Sequence, residues 1–133
     1  MGTRRMVRKG SGRDVSQPGG CPLTAALQVI GGRWSLITLY WLERRSERFN
    51  DLRRLMPSIS HKVLAATLRD LEREGMISRT VIPDVPPKVA YAITEYGRSL
   101  HPLIEAARQW GRRHLEWRVN QAPRAKRVTS RDG

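Results

Sequence analysis

The segment between Ser60 and Gly75 constrains the fold more than any other part of the sequence. Leu64, Leu68 and Leu71 recur at spacings of four and three, which places them on one side of a helix. Ser60 is a residue type that caps helix N-termini, and Gly75 is the type that ends helices. We therefore predict that a helix fills this segment, buries one leucine stripe and leaves its opposite side open.

A short helix is predicted immediately before this segment, from Asn50 through Leu55. Met56-Pro57 ends it, because proline cannot continue a helix. Residues 58–60 then form a turn. Two helices joined by so short a turn are typical of a helix-turn-helix.

Two strands are predicted behind the second of these helices, over residues 76–82 and 88–94. Both alternate in polarity, which predicts strands with one buried side. The proline-rich loop 83–87 separates them. A β-hairpin directly behind a helix-turn-helix indicates a winged helix, so the predicted fold class is mainly α with a small β-hairpin wing.

Three further helices complete the predicted order. The first begins at Pro22, a residue type that suits the first helical position, and ends at Gly31-Gly32. The second spans about 33–45 and is apolar nearly all round, which predicts the central buried helix. Residues 47–49 form an extended link after it. The last is one long helix from residue 95 to about residue 117.

The chain is strongly basic, with 25 Lys and Arg against 12 Asp and Glu among 133 residues and a formal net charge of +13. This charge predicts a polyanionic partner, nucleic acid before an anionic membrane surface. Residues 1–20 and 118–133 each contain five basic residues and one acidic residue, without periodicity. We predict that they are a disordered basic arm and a disordered basic tail around one domain at 21–117. Each segment either contacts phosphates or stays uninvolved.

The same sequence argues against several classes of protein. No apolar run approaches the roughly 20 residues that span a bilayer, and the basic N-terminus lacks the apolar stretch of a secretory signal. We therefore expect a cytoplasmic, nucleoid-associated protein. One cysteine leaves no internal disulfide framework. No cofactor or metal is predicted, because the spacing of His101 and His114 is unlike that of metal ligands. No catalytic arrangement can be identified, so an enzyme is not expected.

Several separate motifs stand in order along residues 21–117: Cys21-Pro22, Ile30-Gly31-Gly32-Arg33-Trp34, Arg48-Phe49-Asn50-Asp51-Leu52, Ile59-Ser60-His61-Lys62-Val63-Leu64, Leu68-Arg69-Asp70-Leu71-Glu72-Arg73-Glu74-Gly75, Val85-Pro86-Pro87 and Tyr91-Ala92-Ile93-Thr94-Glu95-Tyr96-Gly97. Together they resemble the HxlR-type family of bacterial regulators, which is similar to the broader MarR-like regulators. The resemblance implies a homodimeric winged-helix transcriptional regulator that binds double-stranded DNA. Repression is the commoner expectation from it, with activation left open.

The helix after Ser60 is the candidate recognition helix, because such a helix reads bases mainly from its N-terminal turns. The residues predicted to contact bases, with Arg69 reaching either a base or a phosphate, are His61, Lys62, Ala65, Ala66 and Arg69. The residues predicted to contact phosphates lie on the short helix, the link and the wing, and are Arg53, Arg54, Arg48, Arg79 and Lys88. The alternative for each charged residue is a solvated side chain that touches no DNA.

An apolar stripe with a/d-like spacing runs along the last predicted helix. A helix of that length is roughly 35 Å long and exceeds what a core of this size can cover, so part of the stripe needs a partner. The alternative, packing against the chain's own core, accounts for the rest. The resemblance implies dimerisation through the terminal helices, and the predicted interface comprises Leu23, Leu27, Leu100, Leu103, Ala107, Trp110, His114 and Trp117. A homodimer predicts an inverted-repeat operator.

Cys21 stands at a helix start in basic surroundings, which favours the thiolate. It is a candidate redox sensor of electrophiles or oxidants, as the resemblance implies for some family members, and an inert structural cysteine is the alternative. A small-molecule effector would lie near Trp34, Trp41 and Trp110, for which core packing is the alternative. The alternative function for the whole chain is non-specific architectural DNA binding, which competitor DNA distinguishes from operator binding.

Overall fold

The structure is a computed structural model that describes residues 20–121. These residues form two compact units, one ending at Ser99 and the other beginning at Leu100. The elements in chain order are α1 (Pro22–Ile30), α2 (Ser35–Arg44), β1 (Glu47–Arg48), α3 (Phe49–Leu55), α4 (His61–Arg73), β2 (Ile77–Ile82), β3 (Lys88–Ile93), α5 (Glu95–Arg98) and α6 (His101–Asn120). The predicted arm and most of the predicted tail lie outside the described residues.

Helices α1 and α2 form where the sequence predicts them. α1 has Pro22 in its first turn and Gly31 as its C-cap. α2 contacts α3 and β3 and buries Thr38, Leu39 and Leu42. α2 is not buried on every side, since Ile37 is 38% exposed.

Helices α3 and α4 form the predicted helix-turn-helix. The three leucines of the α4 stripe are at most 1% exposed, and Leu52 of α3 is fully buried. Burial contributes about 1.5–3 kcal/mol for each such leucine, so this stripe is a principal attachment of α4. Ile59, in the turn between the helices, is also buried.

Gly75 ends α4 in the way predicted for it. Its φ of 80° lies in the left-handed region that favours glycine. The Gly75 N–H donates to the Glu72 carbonyl at 3.0 Å, and the Met76 N–H donates to the Leu71 carbonyl at 2.9 Å. This pair of bonds is a Schellman motif, which closes the helix and turns the chain into β2.

The three strands form one antiparallel sheet in the order β1-β3-β2. Ile77 pairs with Ile93 at the base of the β2–β3 hairpin, and Ile82 pairs with Lys88 at its tip. We call this hairpin, residues 77–93, the wing. The expected alternation of buried and exposed residues is wrong, because only Ile77 and Ile93 of the two strands are buried. β2 is exposed beyond Ile77, whereas the middle of β3 is half-buried, because β3 also contacts β1 and α2.

The single long helix predicted from residue 95 is wrong, because the structure contains two helices, α5 and α6, interrupted at Ser99 and Leu100. Pro102 supplies the physical reason. A proline ring collides with the carbonyl of the residue four positions earlier, here Arg98, and proline is tolerated in a first turn, where Pro102 lies in α6. At its other end α6 continues to Asn120, so residues 118–120 are helical and do not belong to a disordered tail.

The Thr94 side chain joins the base of the wing to α5. Its hydroxyl donates to the Gly75 carbonyl at 2.6 Å, lies 3.0 Å from the Met76 carbonyl oxygen, and accepts from the Gly97 N–H at 2.9 Å. Thr94 is therefore the N-cap of α5 and a link to the end of α4. The observed elements confirm the predicted class, mainly α with a small β-hairpin wing.

Candidate nucleic-acid interface

Helix α4 is held so that one side is buried and the other side is open to solvent. The Ser60 hydroxyl accepts a hydrogen bond from the Val63 N–H at 3.1 Å, which caps the helix as predicted. With the leucine stripe facing the core, the side chains of His61, Lys62 and Arg69 are exposed. Ala65 and Ala66 lie between them and are half-buried. Small residues at these positions allow a close approach to another surface.

His61 differs from the other predicted base contacts because its ring packs on an aromatic neighbour. The centroids of the His61 and Phe49 rings are 4.5 Å apart, and the ring planes are inclined by 45°. The two residues are the first of α4 and the first of α3. This contact therefore ties together the N-terminal ends of the two helices and limits the positions that the imidazole can take.

Asp51 forms ion pairs with two of the predicted phosphate-contacting residues. Its carboxylate lies 3.5 Å from the Arg48 Nε and also pairs with the Arg54 Nη1. Both arginines stand three residues away, one on each side in the sequence. Sequence reasoning assigned no role to Asp51 beyond a helix start, although the i,i+3 spacing is a signal that identifies such pairs.

Two surface cavities adjoin α3 and contain its basic residues. The first has a volume of about 290 Å³, and the second has a volume of about 310 Å³. Arg54 and Asn50 line both cavities, and Arg53 lines the second. Arg53 is exposed and makes no ion pair with any residue that the structure describes. Asn50 was predicted only as the start of the short helix, and it is the second lining residue without a predicted contact, since no periodicity marks a single exposed amide.

The two basic residues predicted on the wing are differently placed. Arg79 lies on β2, is exposed and pairs across the sheet with Tyr91. Lys88 begins β3, and its Nζ lies 3.3 Å from the Asp84 carboxylate. At the tip Val85 is 96% exposed. The wing thus offers cations along its strands and an apolar side chain at its end.

The structure brings some of the predicted phosphate contacts together and leaves others apart. Arg48, Arg54 and Lys88 line the same 290 Å³ cavity, although Lys88 is forty residues from Arg48 in the sequence. Arg79 lines neither of the two cavities. The predicted base contacts lie along α4 and line neither cavity.

The residues predicted to form a dimer interface present exposed apolar surface in each unit. In the first unit Leu23 and Leu27 of α1 are 67% and 53% exposed. In the second unit Leu103, Ala107, Trp110 and Trp117 are exposed, while Leu100 and His114 are half-buried. The His114 ring stacks between the two tryptophans, with centroid distances of 5.0 Å to Trp110 and 6.0 Å to Trp117.

Cys21 is the exposed N-cap residue of α1. The Thr24 hydroxyl, followed by the backbone N–H groups of Thr24 and Leu23, stabilises the thiolate and lowers the pKa of the Cys21 thiol below its ordinary value. A lower pKa increases the fraction of the nucleophilic thiolate at neutral pH.

The tryptophans considered for an effector site differ in burial. Trp34 and Trp41 are half-buried, and Trp110 is exposed. Core packing is therefore the wrong interpretation for Trp110. Within residues 20–121, no three or more His, Cys, Asp and Glu side chains cluster in a way that could hold a metal ion. None of the described helices is both long enough and apolar enough to cross a membrane.

The chain is similar to known regulators in sequence and in structure. A profile of the family described as HxlR-like helix-turn-helix matches residues 29–119. The uncharacterized HTH-type transcriptional regulator YdeP of Bacillus subtilis (strain 168) is 42% identical over 109 residues, which cover 82% of this chain and 84% of the relative.

Two solved structures extend this similarity. The redox regulator HypR in its oxidized form is 43% identical with a TM-score of 0.67, over 69% of this chain and 95% of HypR. The HTH-type transcriptional regulator YtcD is 43% identical with a TM-score of 0.69, over 72% of this chain and 98% of YtcD.

Proposed function

The chain belongs to the HxlR-like helix-turn-helix family and is a transcriptional regulator with a helix-turn-helix DNA-binding domain, and from this premise we propose that it is a repressor that binds an inverted-repeat operator as a homodimer. In this proposal α4 enters the major groove, α3 crosses the phosphate backbone, and the wing contacts the flanking DNA. A signal received at Cys21 or in a small-molecule site releases the operator.

The observation that carries the proposal is the exposed face of α4. Three buried leucines and the Ser60 cap orient the helix, and Lys62 and Arg69 are exposed on the side opposite the leucines. Neither cation forms an ion pair with a described residue, so both are available to base edges or phosphates. Arg73, at the end of the same helix, is instead held by the Asp70 carboxylate at 2.9 Å.

The half-buried alanines support base contact rather than simple charge attraction. Ala65 and Ala66 lie within the second turn of α4, between Lys62 and Arg69. An alanine lets the helix approach a base pair closely and can contact a thymine methyl group. The Phe49–His61 contact, in turn, couples the position of this helix to that of α3.

Homodimerisation is supported by the exposed apolar side chains of α1 and α6. Trp110 and Trp117 are 59% and 57% exposed, which is unusual for large aromatic residues without a partner. A twofold dimer presents two copies of α4, so the operator consists of two half-sites with centres one helical turn, about 34–36 Å, or a multiple of it apart.

The proposed signal at Cys21 is supported by exposure and by the lowered thiol pKa. The structurally similar HypR is described as a redox regulator. Among the described residues Cys21 is the only cysteine, and oxidation therefore joins it to a small thiol or to a second subunit. The alternative is a small-molecule effector that binds elsewhere and leaves the thiol unchanged.

Footprinting of bound genomic sites, followed by gel-shift titration of a recovered site, tests the proposal. A specific regulator retains its operator against competitor DNA with a preference of about 10³-fold or more. Repression is tested with a reporter gene placed behind the same site, and its expression should fall when the protein is present. A preference near unity would instead identify a non-specific architectural DNA-binding protein.

A further inference from the structure

The pairing of β1 with β3 ends at a fork that encloses a cavity. The last pair of this ladder is Arg48 with Ala90. Beyond this pair, the segment after β1 enters α3 at Phe49, while β3 continues through Val89 to Lys88 near the tip of the wing. The 290 Å³ cavity lies in this fork and is lined by residues of both branches.

Three cations and one carboxylate line this cavity. Arg48 stands on the ladder, Arg54 on α3 and Lys88 on β3, so each comes from a different element. Asp51 pairs with the Nε of Arg48 and with the Nη1 of Arg54. Each guanidinium therefore keeps other N–H groups free to donate to a second acceptor.

Lys88 is held by a single ion pair at the protein surface. Its ammonium lies 3.3 Å from the Asp84 carboxylate, which belongs to the loop of the wing and does not line the cavity. Both side chains are more than 40% exposed, and exposed pairs of this kind are worth about 0–1 kcal/mol. Lys88 can therefore exchange Asp84 for another anion at little cost.

We propose that this cavity is a single phosphate-binding seat in which Arg48, Arg54 and Lys88 converge on one phosphate group. The inference rests on the proposed function, since the phosphate that it assigns is a phosphodiester of the DNA backbone beside α3. Three cations against the one lining carboxylate leave an excess of positive charge that a phosphate matches. The Asn50 amide, which also lines the cavity, supplies a neutral donor.

The seat differs from three separate phosphate contacts in what it does to the protein. One phosphate bound in the fork contacts α3 and the wing at the same time, so it fixes the wing relative to the helix-turn-helix. Asp51 is a positioning residue here, because it holds the two guanidinium groups beside each other. Arg53 lines only the second cavity and contacts a different phosphate.

The salt dependence of DNA binding tests this assignment. The slope of log K against log salt falls by about 0.9 for each phosphate contact that a protein loses. We expect the triple variant Arg48→Gln, Arg54→Gln, Lys88→Gln to lose about 0.9 per bound protomer. If the three residues instead contacted three separate phosphates, the slope would fall by about 2.7 per protomer, and that result would overturn the shared seat. The control Arg53→Gln, added to the triple variant, should remove about a further 0.9.

A second measurement uses the free protein and is independent of any operator. Titration with dimethyl phosphate and with inorganic phosphate, followed by NMR, should shift the backbone amide of Val89, which lines this cavity and not the second one, in the native protein and leave it unchanged in the triple variant. No shift with either probe would overturn the seat. A shift in a protein that shows no operator preference would contradict the proposed function while leaving the seat intact.

Ethylation interference distinguishes the two sources of phosphate. If DNA fills the seat, ethylation of one phosphate in each half-site weakens binding of the native protein and has no effect on the triple variant. If no phosphate behaves in this way while inorganic phosphate still shifts the Val89 amide, the seat belongs to a free anion and its assignment to the DNA backbone is overturned. Thermal unfolding of all variants, measured by circular dichroism, verifies that each is folded.

Discussion

The Ser60 hydroxyl accepts a hydrogen bond from the Val63 N–H at 3.1 Å, so the residue that ends the helix-turn-helix turn also fixes the start of α4. His61 and Lys62 occupy the turn that this bond stabilises. The cap therefore contributes both to the stability of the fold and to the position of the proposed base contacts.

Replacing Ser60 with alanine should lower the free energy of unfolding by about 1 kcal/mol, because one backbone N–H of the first turn loses its acceptor. Urea denaturation at fixed protein concentration measures this change, and gel shift should show weaker operator binding in the same variant. Ser60→Thr keeps the hydroxyl and should retain most of both properties. Equal stability of the alanine variant and the native protein would show that the cap contributes nothing.

Lys62→Ala and Arg69→Ala should each weaken operator binding, by about 1–3 kcal/mol where the side chain contacts a base edge. Gel shift at one fixed salt concentration measures the change. Arg73→Ala is a matched control on the same helix, and it should have a smaller effect because Asp70 already holds that guanidinium. Native affinity in both Lys62→Ala and Arg69→Ala would contradict docking through α4.

Gly97 and Gly111 should respond oppositely to alanine. A Cβ at Gly97 would lie 2.1 Å from the Met76 carbonyl oxygen and 2.8 Å from the Ile93 Cγ1, so Gly97→Ala should destabilise the fold by about 1–3 kcal/mol or more. A Cβ at Gly111 meets no atom within 4 Å, and Gly111→Ala should stabilise its helix by about 0.5–1 kcal/mol. Urea unfolding midpoints compare the two variants, and a stable Gly97→Ala protein would refute the close contact at Met76.

The rate of alkylation of Cys21 should reach its maximum at a lower pH than the rate for an ordinary thiol does. The pKa of this thiol is lowered, chiefly by the Thr24 hydroxyl, so the reactive thiolate is present above the lowered pKa and is lost as the pH falls through it. Thr24→Val should raise the pKa and move the pH–rate profile for iodoacetamide to higher pH. Thr24→Ser keeps the hydroxyl and should retain the native profile. Superimposable profiles for Thr24→Val and the native protein would exclude Thr24 as the cause.

Trp110→Glu should weaken dimerisation by more than about tenfold, because a buried interface tryptophan commonly contributes 2 kcal/mol or more. Analytical ultracentrifugation over a micromolar concentration range measures the dissociation constant. Gln109→Glu places the same charge on the adjacent position of α6, off the apolar stripe, and should have a much smaller effect. A native protein that sediments only as a monomer would contradict the proposed dimer.

The helix-turn-helix was predictable because its signals are local. Ser60, Gly75 and the three leucines between them define α4 through contacts within a few residues along the chain, and the structure contains that helix between the predicted cap and the predicted stop. The interruption between α5 and α6 also has a local cause, Pro102. The apolar stripe continues past this proline and therefore suggested one continuous helix.

The phosphate-contacting candidates were chosen from the sequence by charge, and nothing in the spacing of Arg48, Arg54 and Lys88 indicates that they meet. Their common cavity depends on the β1–β3 register, a pairing between segments more than forty residues apart. The exposure of the wing likewise depends on where the core ends, so an alternating pattern in β2 and β3 predicted burial that does not occur.

The difference between the features that were predictable from the sequence and those that were not has one physical origin. Helix caps, glycine stops and i,i+3 or i,i+4 contacts involve neighbours in the chain, so the amino-acid order largely determines where α1, α3 and α4 begin and end. Strand pairing and the enclosure of a cavity join distant residues, and their geometry exists only after the chain has closed those loops. The sequence was therefore sufficient to predict a basic helix-turn-helix protein, whereas the grouping of its cations was decided by the tertiary structure.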